Sequence, residues 1–155
     1  MEGLVKPEVL AYLAGFVDGE GTIGIGVYKK PSRRRIAVGH ISLYNTDPTV
    51  PTLMKEAFGG SVSIKEGRKP HHNTGYVWQA SGRTAYPVVG LLYPYLTIKR
   101  LQAETFLDFE EWRQRRRQEL NRCRNGFRGY KEADYQEMLM YATRSKELNM
   151  RGGTG

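Results

Sequence analysis

Residues 13–30 read LAGFVDGEGTIGIGVYKK, and within this stretch the hydrophobic pattern changes from that of a helix to that of a strand. From Pro7 to Asp18 apolar side chains recur at three- and four-residue spacing, which predicts an amphipathic helix with Pro7 in its first turn. Gly19 and Gly21 are expected to end this helix. The residues after Gly21 alternate between isoleucine or valine and glycine or tyrosine, and this period of two predicts a strand.

The same order of elements repeats downstream. A second strand places Ile41 and Leu43 on one face, and Asp47-Pro48 then begins a helix, with Asp47 expected as its N-cap. A second hairpin and further helices follow. This order predicts an α+β fold with an αββαββα core, in which helices cover one face of a four-stranded antiparallel sheet, followed by C-terminal helices.

The length favours a single domain. We expect it to cover residues 1–150, with the core at about 7–121 and a C-terminal helix at about 131–149, before a flexible tail at 151–155.

The composition excludes several classes of protein. The chain has 155 residues, one cysteine and 39% hydrophobic residues, so it is neither a disulfide scaffold nor a disordered chain. No apolar run approaches the roughly 20 residues of a membrane span, and the first residues lack the order of a secretion signal. We therefore expect an intracellular protein with no membrane partner.

The positive charge is concentrated in two clusters. The formal net charge is +8, yet residues 1–28 carry one basic and four acidic side chains. Residues 29–35 carry five basic side chains and no acidic one, and residues 113–131 carry eight basic ones against a single glutamate. Charge runs are often solvated surfaces, but two separate clusters favour a nucleic-acid partner.

The face of the predicted sheet that the helices leave open is polar. It is expected to expose His40, Ser42, Tyr44, Ser63, Lys65, Val77 and Gln79. The strand from Thr22 to Lys30 would extend about 30 Å at roughly 3.3 Å per residue. At about 3.4 Å per base pair, this length matches about nine base pairs of a duplex.

The nonapeptide at residues 13–21, LAGFVDGEG, resembles the signature of the LAGLIDADG homing endonucleases, with which it shares five of nine positions. The family's order of elements also follows it, with Asn45-Thr46-Asp47 after the first hairpin and Pro94-Tyr95-Leu96 before Lys99. The resemblance covers about residues 8–112. It implies a metal-dependent, site-specific endonuclease that cuts double-stranded DNA.

The resemblance also implies a homodimer, because this chain carries one copy of the motif. In the family the motif helix packs against its counterpart at a twofold interface, for which Ala11, Ala14, Gly15 and Asp18 are the candidate residues here. A symmetric dimer implies a roughly palindromic DNA target.

The catalytic candidates come from the same motifs. Glu20 matches the family's metal-binding acid, and with the main-chain carbonyl of Gly19 it offers oxygen ligands that suit Mg²⁺, or else Mn²⁺. Lys99 matches the basic residue near the cleaved phosphate. Asp47 either orders water in the active site or only caps its helix, whereas Asp18 is expected mainly to be a structural cap.

Side chains of the sheet and its loops are the candidates for DNA contacts. They are Tyr28, Lys30, Arg33, Arg34, Arg35, His40, Ser42, Tyr44, Ser63, Lys65, Arg68, Val77 and Gln79. Arginine and lysine can read guanine, and glutamine adenine, in the major groove. Two alternatives stay open: an intron RNA maturase or a DNA-binding regulator that does not cut, and a small basic DNA-binding domain whose similarity to the family is accidental.

Overall fold

A computed structural model describes residues 5–32, 34–66, 74–124 and 129–152. In chain order the elements are α1 (Pro7–Glu20), β1 (Gly21–Lys29), β2 (Arg35–Asn45), α2 (Thr49–Phe58), β3 (Ser61–Lys65), β4 (Gly75–Ser81), α3 (Gly82–Leu92), a 3₁₀ turn (Tyr93–Tyr95), α4 (Arg100–Arg124) and α5 (Glu132–Gly152). The predicted αββαββα core with additional C-terminal helices is confirmed.

The sheet is antiparallel throughout, with strand order β1-β2-β4-β3. The first hairpin pairs Gly21 with Leu43 at its base and Lys29 with Arg35 at its tip. Because side chains alternate along a strand, this register puts Ile23, Ile41 and Trp78 on the helix-covered face, where all three are fully buried. The predicted alternation of the strands is therefore confirmed.

Two apolar clusters stabilise the helix-covered face. The larger one joins α1, α2, α3 and the first half of α4 to the sheet. The smaller one joins Ile25 and Ala37 of the first hairpin to Phe109 and Trp112 of α4 and to Met138 of α5. The C-terminal helix is thus part of the packed fold and supports the outer half of the first hairpin.

Three predicted boundaries differ from those observed. α1 continues through Gly19 to Glu20, because the N–H of Gly21 still donates to the carbonyl of Val17. α2 begins at Thr49, so its N-cap position is Pro48 and not Asp47. α5 extends to Gly152, two residues into the predicted tail, and residues 153–155 lie outside the described part of the chain.

The expectation that Ala14 lies in a dimer interface is wrong. Ala14 is fully buried within its own chain, in the cluster that also holds Leu10 and Val17. It follows Leu10 by four residues and therefore lies on the core-facing side of the helix. Ala11 and Gly15 lie on the opposite, exposed side.

Candidate nucleic-acid interface and acidic centre

Glu20 lies at the junction of α1 and β1, where the chain changes direction. A Cβ on the following residue, Gly21, would lie 2.9 Å from the Cα of Val17 and 3.1 Å from the carbonyl oxygen of Ser42, so only glycine fits there. This close contact fixes the backbone next to Glu20. The Glu20 side chain itself is exposed and makes no hydrogen bond or ion pair with any residue that the structure describes.

Asp18 is occupied by hydrogen bonds within the chain. Its Oδ2 accepts the N–H of Thr97 at 2.9 Å, and its Oδ1 accepts those of Ile98 and Lys99 at 3.0 Å each. These donors are the unpaired amides before the first turn of α4, where a negative charge is stabilising. Asp18 therefore caps α4 from the end of α1, which leaves Glu20 as the free carboxylate.

The same contact holds Lys99 beside the end of α1. Its main-chain N–H donates to Asp18 Oδ1, and its Nζ donates to the main-chain oxygen of Asp18 at 3.2 Å. The side chain is half-buried. The structure thus brings Lys99 to the helix end that carries Glu20, although the two residues are far apart in sequence.

Asp47 lies at this same end of the sheet. It follows the end of β2, whose Leu43 pairs with Gly21, the neighbour of Glu20. Its carboxylate accepts the N–H of Thr49 at 2.8 Å, and hydrogen bonds from Thr49 lower the pKa of Asp47 below its usual value. Asp47 therefore bonds to the first residue of α2 from the position before the N-cap, which Pro48 occupies.

The oxygen donors near Glu20 suit a hard divalent cation. Glu20 contributes a free carboxylate, and the main-chain carbonyl of Gly19 lies at the negative end of the α1 dipole. Among residues 5–32, 34–66, 74–124 and 129–152, no three His, Cys, Asp or Glu side chains form a group that could hold a metal ion. The oxygen donors of one chain therefore fit a hard divalent cation, and within the described residues they do not complete its coordination.

The open face of the sheet collects the predicted polar residues in rows. One row runs Thr22, Ser42, Gln79 and Ser61 across the four strands, and a second contains Tyr44, Val77 and Ser63. Lys65 pairs with Gly75 next to the second row, and His40 pairs with Gly24 and Ser81 on the other side of the first. A groove of about 730 Å³ follows this face and is lined by residues that include His40, Ser42 and Gln79.

His40 is a partly buried residue of this face. Desolvation lowers the pKa of His40 below its ordinary value, so the imidazole is neutral at pH 7. The groove is therefore lined here by a neutral hydrogen-bonding group and not by a cation.

The basic residues of the first hairpin do not all face the groove. Tyr28 and Lys30 are exposed. Arg34 is held by α5, since its Nη1 lies 3.0 Å from Glu132 Oε2 and its guanidinium lies 4.4 Å from the ring centre of Tyr135. Arg35 lies two residues before Ala37 in β2 and therefore on the same face of the strand, the one that the helices cover. The candidates Arg33 and Arg68 lie outside the described residues.

Part of the second basic cluster is structural. Arg113 pairs with Glu110 at 2.8 Å within α4, and Arg116 pairs with Asp134 at 2.7 Å and with Glu119 at 3.1 Å. The bond to Asp134 joins α4 to α5. Arg116 thus holds the two C-terminal helices together and Arg113 is paired within α4, and a charge count cannot distinguish either role from a nucleic-acid contact.

Sequence reasoning missed two side chains of α5 that bind the main chain of β1. Ser145 and Asn149 contact Ile25 and Ile23, respectively. They follow their partners by 120 and 126 residues, and no local pattern marks such a pair.

None of the helices in the described ranges is long and apolar enough to cross a membrane.

Comparison with known proteins gives a consistent family. A family model described as LAGLIDADG endonuclease matches residues 13–115. Among solved structures, the homing endonuclease I-CvuI, crystallised with the I-CreI target in the presence of Mg with the DNA not cleaved, has a TM-score of 0.65 at 16% identity over 90% of this chain and 80% of that one. No curated protein matches the sequence significantly.

Two further structures resemble the whole chain. The homing endonuclease I-TnaI has a TM-score of 0.63 at 18% identity and covers 96% of this chain and 98% of its own. The archaeal intron-encoded homing endonuclease I-Vdi141I, solved in complex with DNA, has a TM-score of 0.56 at 19% identity over 88% and 96% of the two chains. At these identities the likeness establishes the fold.

Proposed function

Because the chain belongs to the LAGLIDADG endonuclease family, we propose that it is a site-specific endonuclease that hydrolyses phosphodiester bonds of double-stranded DNA with the help of Mg²⁺. One observation carries the proposal. At the base of the open polar face, a free carboxylate (Glu20) and an anchored ammonium group (Lys99) adjoin the same helix end. This pair of charges suits a reaction in which a metal ion and a cation act on one phosphate.

DNA would lie on the open face of the sheet. The rows through Ser42 and Tyr44 offer hydroxyl, amide and ammonium groups at regular spacing, and β1 has nine residues. At roughly 3.3 Å per residue, β1 extends about 30 Å, or about nine base pairs. Gln79 on this face can form paired hydrogen bonds with adenine, and Lys65 can read guanine. The DNA substrate and the exposed, unpaired Cys123 both fit an intracellular site of action.

In the cleavage step each residue has a separate role. Glu20 and the carbonyl of Gly19 would hold Mg²⁺, which supplies Lewis-acid stabilisation of the phosphate and of the leaving oxygen when it is bound. The Lys99 ammonium group stabilises the negative charge that develops on the phosphate. Asp18 does not touch the DNA in this scheme, because its carboxylate holds the backbone of Lys99. Asp47 is exposed and can order a water molecule near the scissile bond.

The enzyme would act as a homodimer joined along α1. The exposed side of this helix carries Ala11, Tyr12 and Gly15, and Tyr12 is 53% exposed despite its large apolar ring. Ile98, which follows the Asp18 contact, is 68% exposed. A second copy of the chain, related by a twofold axis beside this surface, would cover both aromatic and aliphatic groups. It would also bring a second Glu20 to complete the set of metal ligands.

Selection of cleaved sequences from a randomised duplex library in Mg²⁺ tests the proposal. We expect the purified protein to enrich a roughly palindromic site of about twenty base pairs, since each half would span about nine. Parallel selections in Mn²⁺ and in EDTA test the metal, and cleavage is expected in Mn²⁺ and absent in EDTA. Enrichment by binding without any cleavage in either metal would contradict the nuclease proposal and favour a regulator on the same scaffold.

A further inference from the structure

The outer edge of β1 is closed by α5 and not by another strand. Within the described part of the chain, the order β1-β2-β4-β3 gives β1 a neighbouring strand on one side only, so every second residue turns an N–H and a C=O away from the sheet. Two of these groups have partners on α5. The N–H of Ile25 donates to Ser145 Oγ at 2.9 Å, and the carbonyl of Ile23 accepts from Asn149 Nδ2 at 3.0 Å.

The spacing of the two contacts matches the geometry of both elements. Ile23 and Ile25 are two residues apart in a strand, about 6.6 Å at roughly 3.3 Å per residue. Ser145 and Asn149 are four residues apart in a helix, about 6 Å at 1.5 Å per residue, and lie on one face. A helix and a strand side by side can therefore make both bonds without distortion.

The Asn149 amide is fixed in orientation. Its Nδ2 donates both to the carbonyl of Ile23 and to the carbonyl of Ser145, the latter at 3.2 Å. Rotation of the amide by half a turn would place an oxygen against two carbonyl oxygens, which is unfavourable. Ser145 is 1% exposed, so water cannot replace its hydroxyl at the N–H of Ile25.

The segment that Asn149 and Ser145 hold, residues 23–25, lies close to Glu20 in the chain. Gly21 is confined between Val17 and Ser42, and the side chain of Ile23 is fully buried. Only Thr22, which is exposed, lies between these two fixed points. Gly21 and Thr22 are thus the only residues between Ile23 and Glu20, and the backbone that carries Glu20 is held on one side by the position of the β1 edge at Ile23.

We propose that Asn149 and Ser145 are positioning residues for the cleavage reaction, which set the place of Glu20 by fixing the first half of β1. This inference rests on the proposed nuclease function. It assigns to the C-terminal helix, which lies beyond the matched residues 13–115, a part in catalysis without contact to the scissile phosphate.

A direct DNA contact is the competing role for Asn149. Its Nδ2 lies 3.2 Å from where a Cβ of Gly24 would be, on the open face and next to His40. The two roles differ in what they change: a positioning residue alters the rate of the bound complex, whereas a contact residue alters affinity.

The experiment compares Asn149→Ala and Ser145→Ala with Thr143→Ala as the control. Thr143 is an exposed residue of the same helix whose hydroxyl, among the described residues, bonds only to the carbonyl of Leu139. DNA affinity is measured in EDTA, and the single-turnover cleavage rate is measured at saturating Mg²⁺, both on the duplex selected by the wild-type protein. Hydrogen exchange of the amides at residues 21–25 is measured in the free protein.

We expect the cleavage rate of both variants to fall by about tenfold or more, since a shift of about 1 Å can cost about 100-fold. DNA affinity should change by less than about twofold, and the amides at residues 21–25 should exchange faster while those of β3 do not. Thr143→Ala should behave as wild type. Ser145→Thr, which keeps the hydroxyl, should recover most of the rate.

Weaker DNA binding with an unchanged cleavage rate would overturn the proposal in favour of a direct contact. Unchanged rate and exchange in Asn149→Ala, whose half-buried site tolerates truncation, would overturn it as well. If the wild-type protein cuts no DNA, the nuclease proposal fails. Hydrogen exchange then still decides whether α5 fixes β1. Faster exchange at residues 21–25 in Asn149→Ala and Ser145→Ala supports this structural role of α5, and unchanged exchange contradicts it.

Discussion

Replacement of Asp18 tests the link between the fold and the catalytic centre. The Asp18 carboxylate accepts three main-chain N–H groups at the start of α4, from Thr97, Ile98 and Lys99. In Asp18→Ala these donors turn to water, and the favourable charge at the helix N-terminus is lost. A capping side chain contributes about 0.5 to 2 kcal/mol and the charge about 0.3 to 1 kcal/mol, so the free energy of unfolding should fall by about 1 to 3 kcal/mol.

Asp18→Asn separates the charge from the hydrogen bonds. The amide keeps one acceptor oxygen, and we expect about half the loss of the alanine variant. For a chain of this length each kcal/mol lowers Tm by about 2 to 4 °C. Thermal unfolding at equal protein concentrations gives the shift, because dimers gain stability with concentration. Glu137→Gln is the control, since Glu137 is an exposed carboxylate of α5 that bonds to no other residue in the described ranges.

The functional part of this prediction concerns Lys99. Asp18→Ala releases the main-chain N–H of Lys99, so its cleavage rate should fall although Asp18 is assigned no contact with metal or DNA, and Asp18→Asn, which keeps one acceptor oxygen, should lose less. The rate is compared with that of Glu137→Gln well below the lower Tm. Unfolding of Asp18→Ala at the wild-type temperature would contradict the capping role of Asp18. A lower Tm with an undiminished cleavage rate would refute the positioning of Lys99 alone.

Three further predictions concern single residues. Gly39→Ala should lower the free energy of unfolding in urea by about 1 to 3 kcal/mol, because its Cβ would overlap the buried ring of Phe106. The control is Gly26→Ala, whose Cβ meets an exposed tyrosine and which should lower that free energy by about 0.5 kcal/mol or less. Equal losses in the two variants would contradict the prediction. Burial lowers the pKa of His40 below 6.5, so the unfolded chain binds the proton more tightly than the folded protein does. The contribution of His40 to stability is therefore full above pH 6.5 and should be lost as the pH drops through the pKa of the folded protein. His40→Gln should remove that part of the fall, and an NMR titration of His40 above 6.5 would contradict it. Lys99→Met should lower the single-turnover cleavage rate by about 100-fold or more with little change in DNA affinity, and a lost affinity with an intact rate would assign Lys99 to binding.

The sequence was sufficient for the architecture because each element has its own periodicity. Ile23, Ile25 and Ile41 alternate with small or polar residues, and the glycines and prolines mark the ends of the elements. The family resemblance also predicted catalytic roles for Glu20 and Lys99, and the structure places both residues at the end of α1.

Residues with two plausible environments were harder to assign. Ala14 is small enough for a helix interface or for a core, and only its four-residue spacing from Leu10 indicates the core. Arg34 was expected to contact DNA, but its guanidinium group pairs with Glu132, which lies 98 residues away in the sequence. Contacts of this range depend on how α5 folds back along β1, and local patterns carry no information about them.

The central claim is that Glu20 supplies the metal-binding carboxylate of a DNA endonuclease. The most direct measurement compares wild-type protein with Glu20→Gln, which keeps the size of the side chain and removes its charge, for cleavage in Mg²⁺ and for binding to the same duplex in EDTA. We expect cleavage by Glu20→Gln to be abolished while its affinity stays within about threefold of wild type, a difference of about 0.7 kcal/mol. Cleavage at the wild-type rate by Glu20→Gln would contradict it.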